Sequence, residues 1–240
     1  MTMTMGPVLE LCDVSKHFYL HERKKHLLAF DSINFSVDSG QLLAITGPSG
    51  VGKSSILKCI YRSYLSDSGA IWYRNQQARI NLVDCSEHTM IGLRQSEIGY
   101  VSQFLHCLPR KSARAVVAAP LIQNGFEQAQ AAQRAEAMLE KFNVPVHLWD
   151  VSPHTFSGGE KQRVNLARGF ILQPKLLLID EPTASLDPKT RDRVIQNILE
   201  IKQTGTTVVG IFHDKKVVER LADSEYVLTP NTPSQLSSYV

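Results

Sequence analysis

Three short apolar runs, Leu42–Thr46, Leu176–Ile179 and Thr207–Phe212, are rich in aliphatic and β-branched residues. Continuous apolarity of this kind predicts strands buried on both faces, as in a parallel sheet. A helical pattern follows each run, at Lys53–Tyr64, Pro188–Gln203 and Asp214–Ala222. Strand, loop and helix repeating in this way predict an α/β layer, a parallel sheet covered by helices. Two other stretches, Val8–Val14 and Ile33–Val37, alternate apolar and polar positions and predict exposed-edge strands, with a polar surface loop at His21–His26 between them. From about residue 104 to 172 the pattern turns helical. Glu127–Phe142 has apolar positions at Ala131, Ala135, Met138, Leu139 and Phe142. Ser157–Leu172 opens with Ser157 and Glu160 at capping-box spacing and stops before Pro174. A mostly helical segment interrupting a parallel sheet reads as an inserted subdomain. The expected organisation is thus one domain over 1–240, with a core at about 8–103 and 173–228, the helical insertion at 104–172 and a loose tail at 229–240.

The chain has 240 residues, 43% hydrophobic and 20% charged, and a net charge of +3. That profile belongs to an ordinary globular protein and excludes disorder, collagen and a disulfide-built miniprotein. No run reaches the roughly 18 apolar residues of a membrane-spanning helix. Residues 1–8 lack a basic start followed by an apolar run, so no secretory signal is expected. The cysteines, Cys12, Cys59, Cys85 and Cys107, form no Cys-x-x-Cys pair and read as reduced packing residues of a cytoplasmic protein. The near-neutral balance gives no electrostatic argument for nucleic acid.

Chemistry concentrates at Gly47-Pro48-Ser49-Gly50-Val51-Gly52-Lys53-Ser54, directly after one apolar run and before a helix. This is the phosphate-binding-loop pattern in its required context. Its glycines let backbone N–H groups turn inward onto phosphate oxygens, and the helix that follows adds its positive end. Lys53 would neutralise the β- and γ-phosphates, and the Ser54 hydroxyl would coordinate Mg²⁺. By residue frequencies alone the pattern arises in about one in a hundred chains of this length. A second signal is Leu176-Leu177-Leu178-Ile179-Asp180-Glu181: an aspartate ending a buried strand can reach that Mg²⁺, and Glu181 is placed to polarise an attacking water. Third is Phe156-Ser157-Gly158-Gly159-Glu160-Lys161-Gln162. A helix cap explains Ser157 and Glu160. It does not explain two glycines, each costing roughly 1 kcal/mol at a helix start, unless backbone N–H groups must approach an anion closely.

These motifs, with Gln103, Ser185-Leu186-Asp187 and His213 in order between and after them, resemble the ATP-binding-cassette (ABC) ATPases over about residues 8–228. The resemblance implies the fold of a P-loop NTPase, an ABC nucleotide-binding domain with edge antiparallel strands and an inserted helical subdomain. It implies a head-to-tail, ATP-dependent dimer in which each ATP lies between the Lys53 loop of one subunit and Ser157, Gly158 and Gly159 of the other. Lys53, Ser54 and Ser55 would then meet the phosphates and Mg²⁺, and Asp180 would be a metal partner. Glu181 would be the general base, Gln103 the sensor of Mg²⁺ and water, His213 the contact to the γ-phosphate, and Asp187 a contact to the opposite subunit. Phe18 stands where the family places an aromatic that stacks on adenine, with Tyr19 as competitor and a packing role as the bland alternative for both. His147 and His154, flanking Trp149, read as surface or packing residues.

Narrower likenesses are Val101-Ser102-Gln103-Phe104-Leu105 leading to Pro109-Arg110, Asn143-Val144-Pro145 with Leu148-Trp149, Arg163–Ile171, and Val209-Gly210-Ile211-Phe212-His213-Asp214. They resemble the PhnL-type ATP-binding subunits of bacterial carbon–phosphorus (C–P) lyase systems. That implies a cytoplasmic ATPase working beside the lyase core subunits and a related ABC subunit, linked to ribose 1-methylphosphonate 5-triphosphate synthase activity. Nothing in the sequence positions a phosphonate at a ribose carbon, so ATP hydrolysis is expected to drive conformational change or assembly. The alternative is the ATPase of a membrane ABC transporter, for phosphonate import or lipoprotein export, in which Phe104–Gln123 would receive the permease. ABC proteins of DNA repair or translation are disfavoured, because this chain has neither a second cassette nor a long coiled coil.

Overall fold

In the computed structural model, which describes residues 6–20, 25–107, 109–183 and 186–230, the three apolar runs are strands β3 (Leu42–Thr46), β7 (Leu176–Asp180) and β8 (Thr207–Ile211). They join β6 (Ile98–Val101) and β9 (Ser224–Val227) in an all-parallel sheet of order β6-β7-β8-β3-β9. Alternation sorts their side chains into two cores. Leu42, Ala44, Leu177, Ile179 and Val208 join the core that holds the helical segment. Leu43, Ile45, Leu176, Leu178, Val209 and Ile211 point into the other. Every residue of β7 and β8 is buried, as the apolar runs predict.

One face of this sheet carries α1 (Lys53–Ile60) and α2 (Glu87–Ser96), together with a second, antiparallel sheet of β1 (Leu9–Leu20), β2 (Lys25–Val37), β4 (Ser68–Arg74) and β5 (Arg79–Asn81). The other face packs against α6 (Pro188–Gln203), α7 (Lys215–Leu221) and the helices α3 (Ala113–Gln123), α4 (Gln128–Lys141) and α5 (Gly158–Phe170). Helix α4 matches the predicted periodicity, burying Ala131, Ala135 and Leu139. Helix α5 begins with the predicted capping box.

The structure differs from the sequence pattern in three places. Strand β1 is not an edge: it lies between β2 and β4 and pairs with both. It also runs on to Leu20. Register shifts at Leu11/Val14, Val14/Lys16 and Lys16/His17 break the period-2 alternation, so only its first half reads as strand in the sequence. The polar loop expected at His21–His26 is shorter, since Lys25 and His26 pair with Leu20 and Tyr19, while residues 21–24 lie outside the described residues. Helix α1 ends at Ile60, not Tyr64, because Arg62 adopts φ 57° and the amides of Ser63 and Tyr64 turn back to the Lys58 carbonyl. Of the tail expected to be loose at 229–240, residues 231–240 lie outside the described residues, as do residues 1–5.

Candidate functional site

The loop between β3 and α1 has its shape because backbone from two other elements crowds it. At Gly47, φ is 133°, and a Cβ would stand 2.2 Å from the Leu228 carbonyl oxygen. Gly52, at φ 105°, would put a Cβ 2.2 Å from the carbonyl oxygen of Ala29 on β2. Only glycine fits either position. Gly50, at φ 80°, has open space around it, so its need is conformational alone. Pro48 and Ser49 are exposed and Val51 is half-buried at the loop's turn. Gly52 caps α1 without a side chain, leaving the first-turn amides of Lys53, Ser54 and Ser55 at the positive end of the helix.

Lys53 is buried and bends back across the loop, its ammonium donating to the carbonyls of Gly47 and Pro48 at 2.7 Å each. Burial lowers its pKa, and the nearby carboxylates of Glu181 and Asp180 oppose that shift. A cation kept on this loop can neutralise phosphate charge with little rearrangement of its own.

Asp180 closes β7 and is only 3% exposed. Ser54 donates to its Oδ1 at 3.1 Å, and the Tyr100 hydroxyl faces its Oδ2 at 3.4 Å. Burial, and then the charge of Glu181, raise the pKa of Asp180, while the Ser54 hydroxyl works against the rise. Hydroxyl and carboxylate oxygens facing one another are hard donors of the kind that hold Mg²⁺, so the residues present fit that ion.

Glu181 leaves the strand at φ 50°, a left-handed conformation uncommon for a non-glycine residue. Its amide donates to the Ile211 carbonyl on β8. Its carboxylate is thereby turned between two partners: Gln103 Nε2 donates to Oε2 at 2.9 Å, and Nε2 of His213 lies 2.6 Å from Oε1. The structure thus joins Gln103, Glu181 and His213 in one contact, and Ser54 and Asp180 in another beside Lys53.

The remaining predicted residues are placed apart. Ser157 is exposed and caps α5, accepting from the Glu160 amide, while its own amide and hydroxyl donate to Glu160 Oε2 at 2.8 and 2.7 Å. These bonds hold the Glu160 carboxyl below its ordinary pKa. Gly158 is exposed, and nothing lies within 4 Å of where its Cβ would be, so no contact inside the chain demands glycine there. Gly159 follows, half-buried, in the first turn. Asp187 is exposed and caps α6, accepting from the Thr190 amide, and the Thr190 side chain and then this amide lower its pKa. Ser185 lies outside the described residues. Phe18 is half-buried with its ring edge-on to Tyr64, centroids 5.2 Å apart. Tyr19, on the opposite side of the strand, is 46% exposed. Phe18 pairs with Leu27, two residues from the Ala29 carbonyl that touches Gly52, so this part of the hairpin runs beside the phosphate loop.

Sequence reading missed the braces. Asn165 on α5 donates to the Ser102 carbonyl at 2.6 Å, fixing the residue before Gln103, and Gln162 reaches the Pro182 carbonyl at 3.4 Å just beyond Glu181. Arg191 pairs with Asp214, the residue after His213, at 3.0 Å. Buried polar residues on α5 are the only sequence signal for the first two. His154 approaches the Cys107 carbonyl at 3.2 Å, and among the described residues no cluster of His, Cys, Asp or Glu is arranged to hold a metal. Among those residues no helix is long and apolar enough to cross a membrane.

Comparison with known proteins matches residues 30–184 to the ABC transporter family. The chain is 34% identical over 227 residues to an uncharacterized ABC transporter ATP-binding protein, YvrO of Bacillus subtilis (strain 168), covering 92% of this chain and 96% of that one. It is 34% identical to the lipoprotein-releasing system ATP-binding protein LolD of Saccharophagus degradans, covering 87% and 89%. Its fold resembles the bacterial ABC transporter cassette MJ0796, solved as a dimer, with a TM-score of 0.84 at 28% identity over 92% of this chain and 94% of that one. A post-hydrolysis dimer of the same cassette, bound to ADP and Pi, also gives a TM-score of 0.84, at 27% identity. The chain belongs to the ABC transporter family, and its fold is that of an ABC ATPase cassette.

Proposed function

We propose that this protein binds and hydrolyses ATP with Mg²⁺ as the cassette subunit of a larger assembly. The observation that carries the reading is the Glu181 carboxylate, gripped by Gln103 and His213 next to the Lys53 loop and the Ser54–Asp180 pair. The glycine loop and the first turn of α1 present N–H groups to the triphosphate, and Lys53 matches its charge. Ser54 and Asp180, with Gln103 beside them, would hold the Mg²⁺, which when bound offsets charge on the β- and γ-phosphates. Glu181 takes the proton of the attacking water, with His213 and Gln103 fixing its plane. A second copy supplies Ser157, Gly158 and Gly159, of which Ser157 and Gly158 are exposed and Gly158 meets no internal packing demand, and Asp187 meets the partner. The dimeric MJ0796 structures support that arrangement. Phe18 stacks on adenine.

For the assembly served, the named relatives support a membrane transporter. LolD belongs to a lipoprotein-releasing system, and DppF of Escherichia coli, 28% identical over 92% of this chain, is a dipeptide transport ATP-binding protein. The surface that would receive a permease follows Gln103 and includes Phe104, 68% exposed. A second reading rests on the stretches around Val101–Leu105, Asn143–Trp149 and Phe212-His213, which resemble PhnL-type subunits. It makes the partner the soluble C–P lyase core and the protein a cytoplasmic motor for its rearrangement. One experiment separates the two. Tagged Glu181→Gln protein is captured from phosphate-starved cells in the presence of ATP. Recovery of permease subunits supports the transporter, and recovery of lyase-core subunits supports the second reading. The ATPase reading itself falls if purified protein releases no phosphate from Mg·ATP.

A further inference from the structure

Asp180 is bound from two sides, and only one of them belongs to the phosphate loop. Ser54 occupies Oδ1, and the Tyr100 hydroxyl faces Oδ2. Tyr100 sits on β6 with Leu178 as its register partner on β7, and its side chain reaches forward to the end of that strand. Its ring stacks on Tyr61, centroids 5.1 Å apart and planes 25° apart. Tyr61 is the residue that ends α1, the helix whose first turn carries Ser54. Arg94, near the end of α2, covers the Tyr61 ring with its guanidinium 4.8 Å from the centroid. Through Nε and Nη2, at 2.9 and 2.6 Å, Arg94 also donates to the Tyr61 carbonyl, a group that the ending helix leaves without a partner. The contacts therefore close a circuit: Ser54, along α1 to Tyr61, across the stack to Tyr100, to Asp180 and back to Ser54. A phenylalanine at position 100 would preserve the stack. The hydroxyl is the part that packing does not require.

We propose that Tyr100 is a positioning residue for the Mg²⁺ site: its hydroxyl pins Oδ2 of Asp180 so that the Oδ1 edge stays turned toward Ser54, and the Arg94–Tyr61 stack holds Tyr100 in place to do so. The inference rests on the ATP- and Mg²⁺-binding reading above and adds a residue to it. Ser54 alone leaves the carboxylate free to rotate about its Cβ–Cγ bond, whereas a second bond to the other oxygen fixes the plane.

The test uses the full chain and two variants, Tyr100→Phe and Tyr61→Leu. Binding of Mn²⁺, a spectroscopic substitute for Mg²⁺, is titrated by electron paramagnetic resonance with a non-hydrolysable ATP analogue present. For Tyr100→Phe the half-saturating Mn²⁺ concentration is expected to rise about tenfold, the low end of what losing an outer-shell partner costs. Metal-free binding of the analogue should stay as in wild type, and the deficit in ATP hydrolysis should disappear at high Mg²⁺. Tyr61→Leu keeps the hydroxyl but loosens its support and should shift the titration in the same direction by less. A Tyr100→Phe titration superimposable on wild type, or a rate loss that no amount of Mg²⁺ recovers, would overturn the proposal. Wild-type protein that binds Mn²⁺ and nucleotide without releasing phosphate would instead overturn the hydrolysis reading, and the titration would still decide the role of Tyr100.

Discussion

Nε2 of His213 and Oε1 of Glu181 stand 2.6 Å apart, and Gln103 donates to the other oxygen of the same carboxylate. The Nε2–H tautomer of the imidazole donates in this contact when the carboxylate is ionised. Both Glu181 oxygens are thus contacted, which fixes the plane of the carboxylate. The left-handed backbone at Glu181 is what turns the side chain out of the strand toward them.

Replacing Glu181 with Gln should lower the ATP hydrolysis rate by about 10²- to 10⁴-fold, the usual worth of a positioned base, while ATP binding persists. Phosphate release and nucleotide affinity, measured on the same protein, check the two halves. His213→Ala frees Oε1 and should cost less, roughly ten- to a hundredfold, because Gln103 still holds Oε2. If the His213 variant is slower than the Glu181 variant, the histidine does more than orient the base.

The loop glycines separate crowding from conformation. A Cβ at Gly47 would press into the Leu228 carbonyl, whereas one at Gly50 meets nothing within 4 Å. Gly50→Ala should therefore cost only the left-handed penalty, about 1–2 kcal/mol. Gly47→Ala must also push backbone away and should cost more, about 3 kcal/mol or beyond. Urea unfolding midpoints of the two variants give the comparison, and equal losses would mean that β9 yields easily.

The parallel sheet and the phosphate loop are legible in the sequence because their signals are local: unbroken apolar runs, and glycines at fixed spacing before a lysine. Strands β6 and β9 are not. Each has four residues, β6 contains Gly99 packed on Pro174, and β9 is an edge strand with Ser224, Glu225 and Val227 exposed. The alternation that would reveal β1 in full is interrupted by its own register shifts. In the site, Lys53 and Ser54 can be found from the glycine spacing of the loop, and Asp180 and Glu181 from the acids that end an apolar strand. Gln103 and His213 are isolated polar residues after strands, and only the order of the whole motif set points to them. Tyr100 and Asn165 are invisible for a different reason: their partners, Asp180 and the Ser102 carbonyl, are 80 and 63 residues away in the chain, and only the folded sheet brings them together.

Two adjacent aromatics on opposite sides of one strand are the candidates for the proposed adenine contact. Phe18 lies on the side of Tyr64, whereas Tyr19 is 46% exposed on the other side. If Phe18 stacks on the base, Phe18→Ala should raise the KM for ATP about tenfold, in line with the roughly 1–3 kcal/mol of base–aromatic stacking, and leave kcat nearly intact. Tyr19→Ala should change KM by less than twofold. The reverse order would assign the base to Tyr19.

Asp67 supports that same strand from outside. Its carboxylate accepts from the Lys16 ammonium at 2.9 Å and from the His17 amide at 2.5 Å, the two residues before Phe18. Partial burial works to raise its pKa, but the His17 amide and Lys16 outweigh it, and the net shift is downward. A depressed folded-state value means that the ionised carboxylate stabilises the fold above its unfolded pKa of about 3.9. That stabilisation is lost only as pH falls through the lower folded-state value. The carboxylate is partly exposed, so the contribution is modest, about 1 kcal/mol. Asp67→Ala should therefore melt below wild type at about pH 7 to 8, and the margin should shrink once the solution is acid enough to protonate the wild-type carboxylate. Because the loosened segment carries Phe18, the same variant should bind ATP a few-fold more weakly at neutral pH. Thermal melts across pH, paired with ATP titrations, test both parts. A margin that stayed unchanged below the carboxylate range would mean that Asp67 acts through packing and not through its charge.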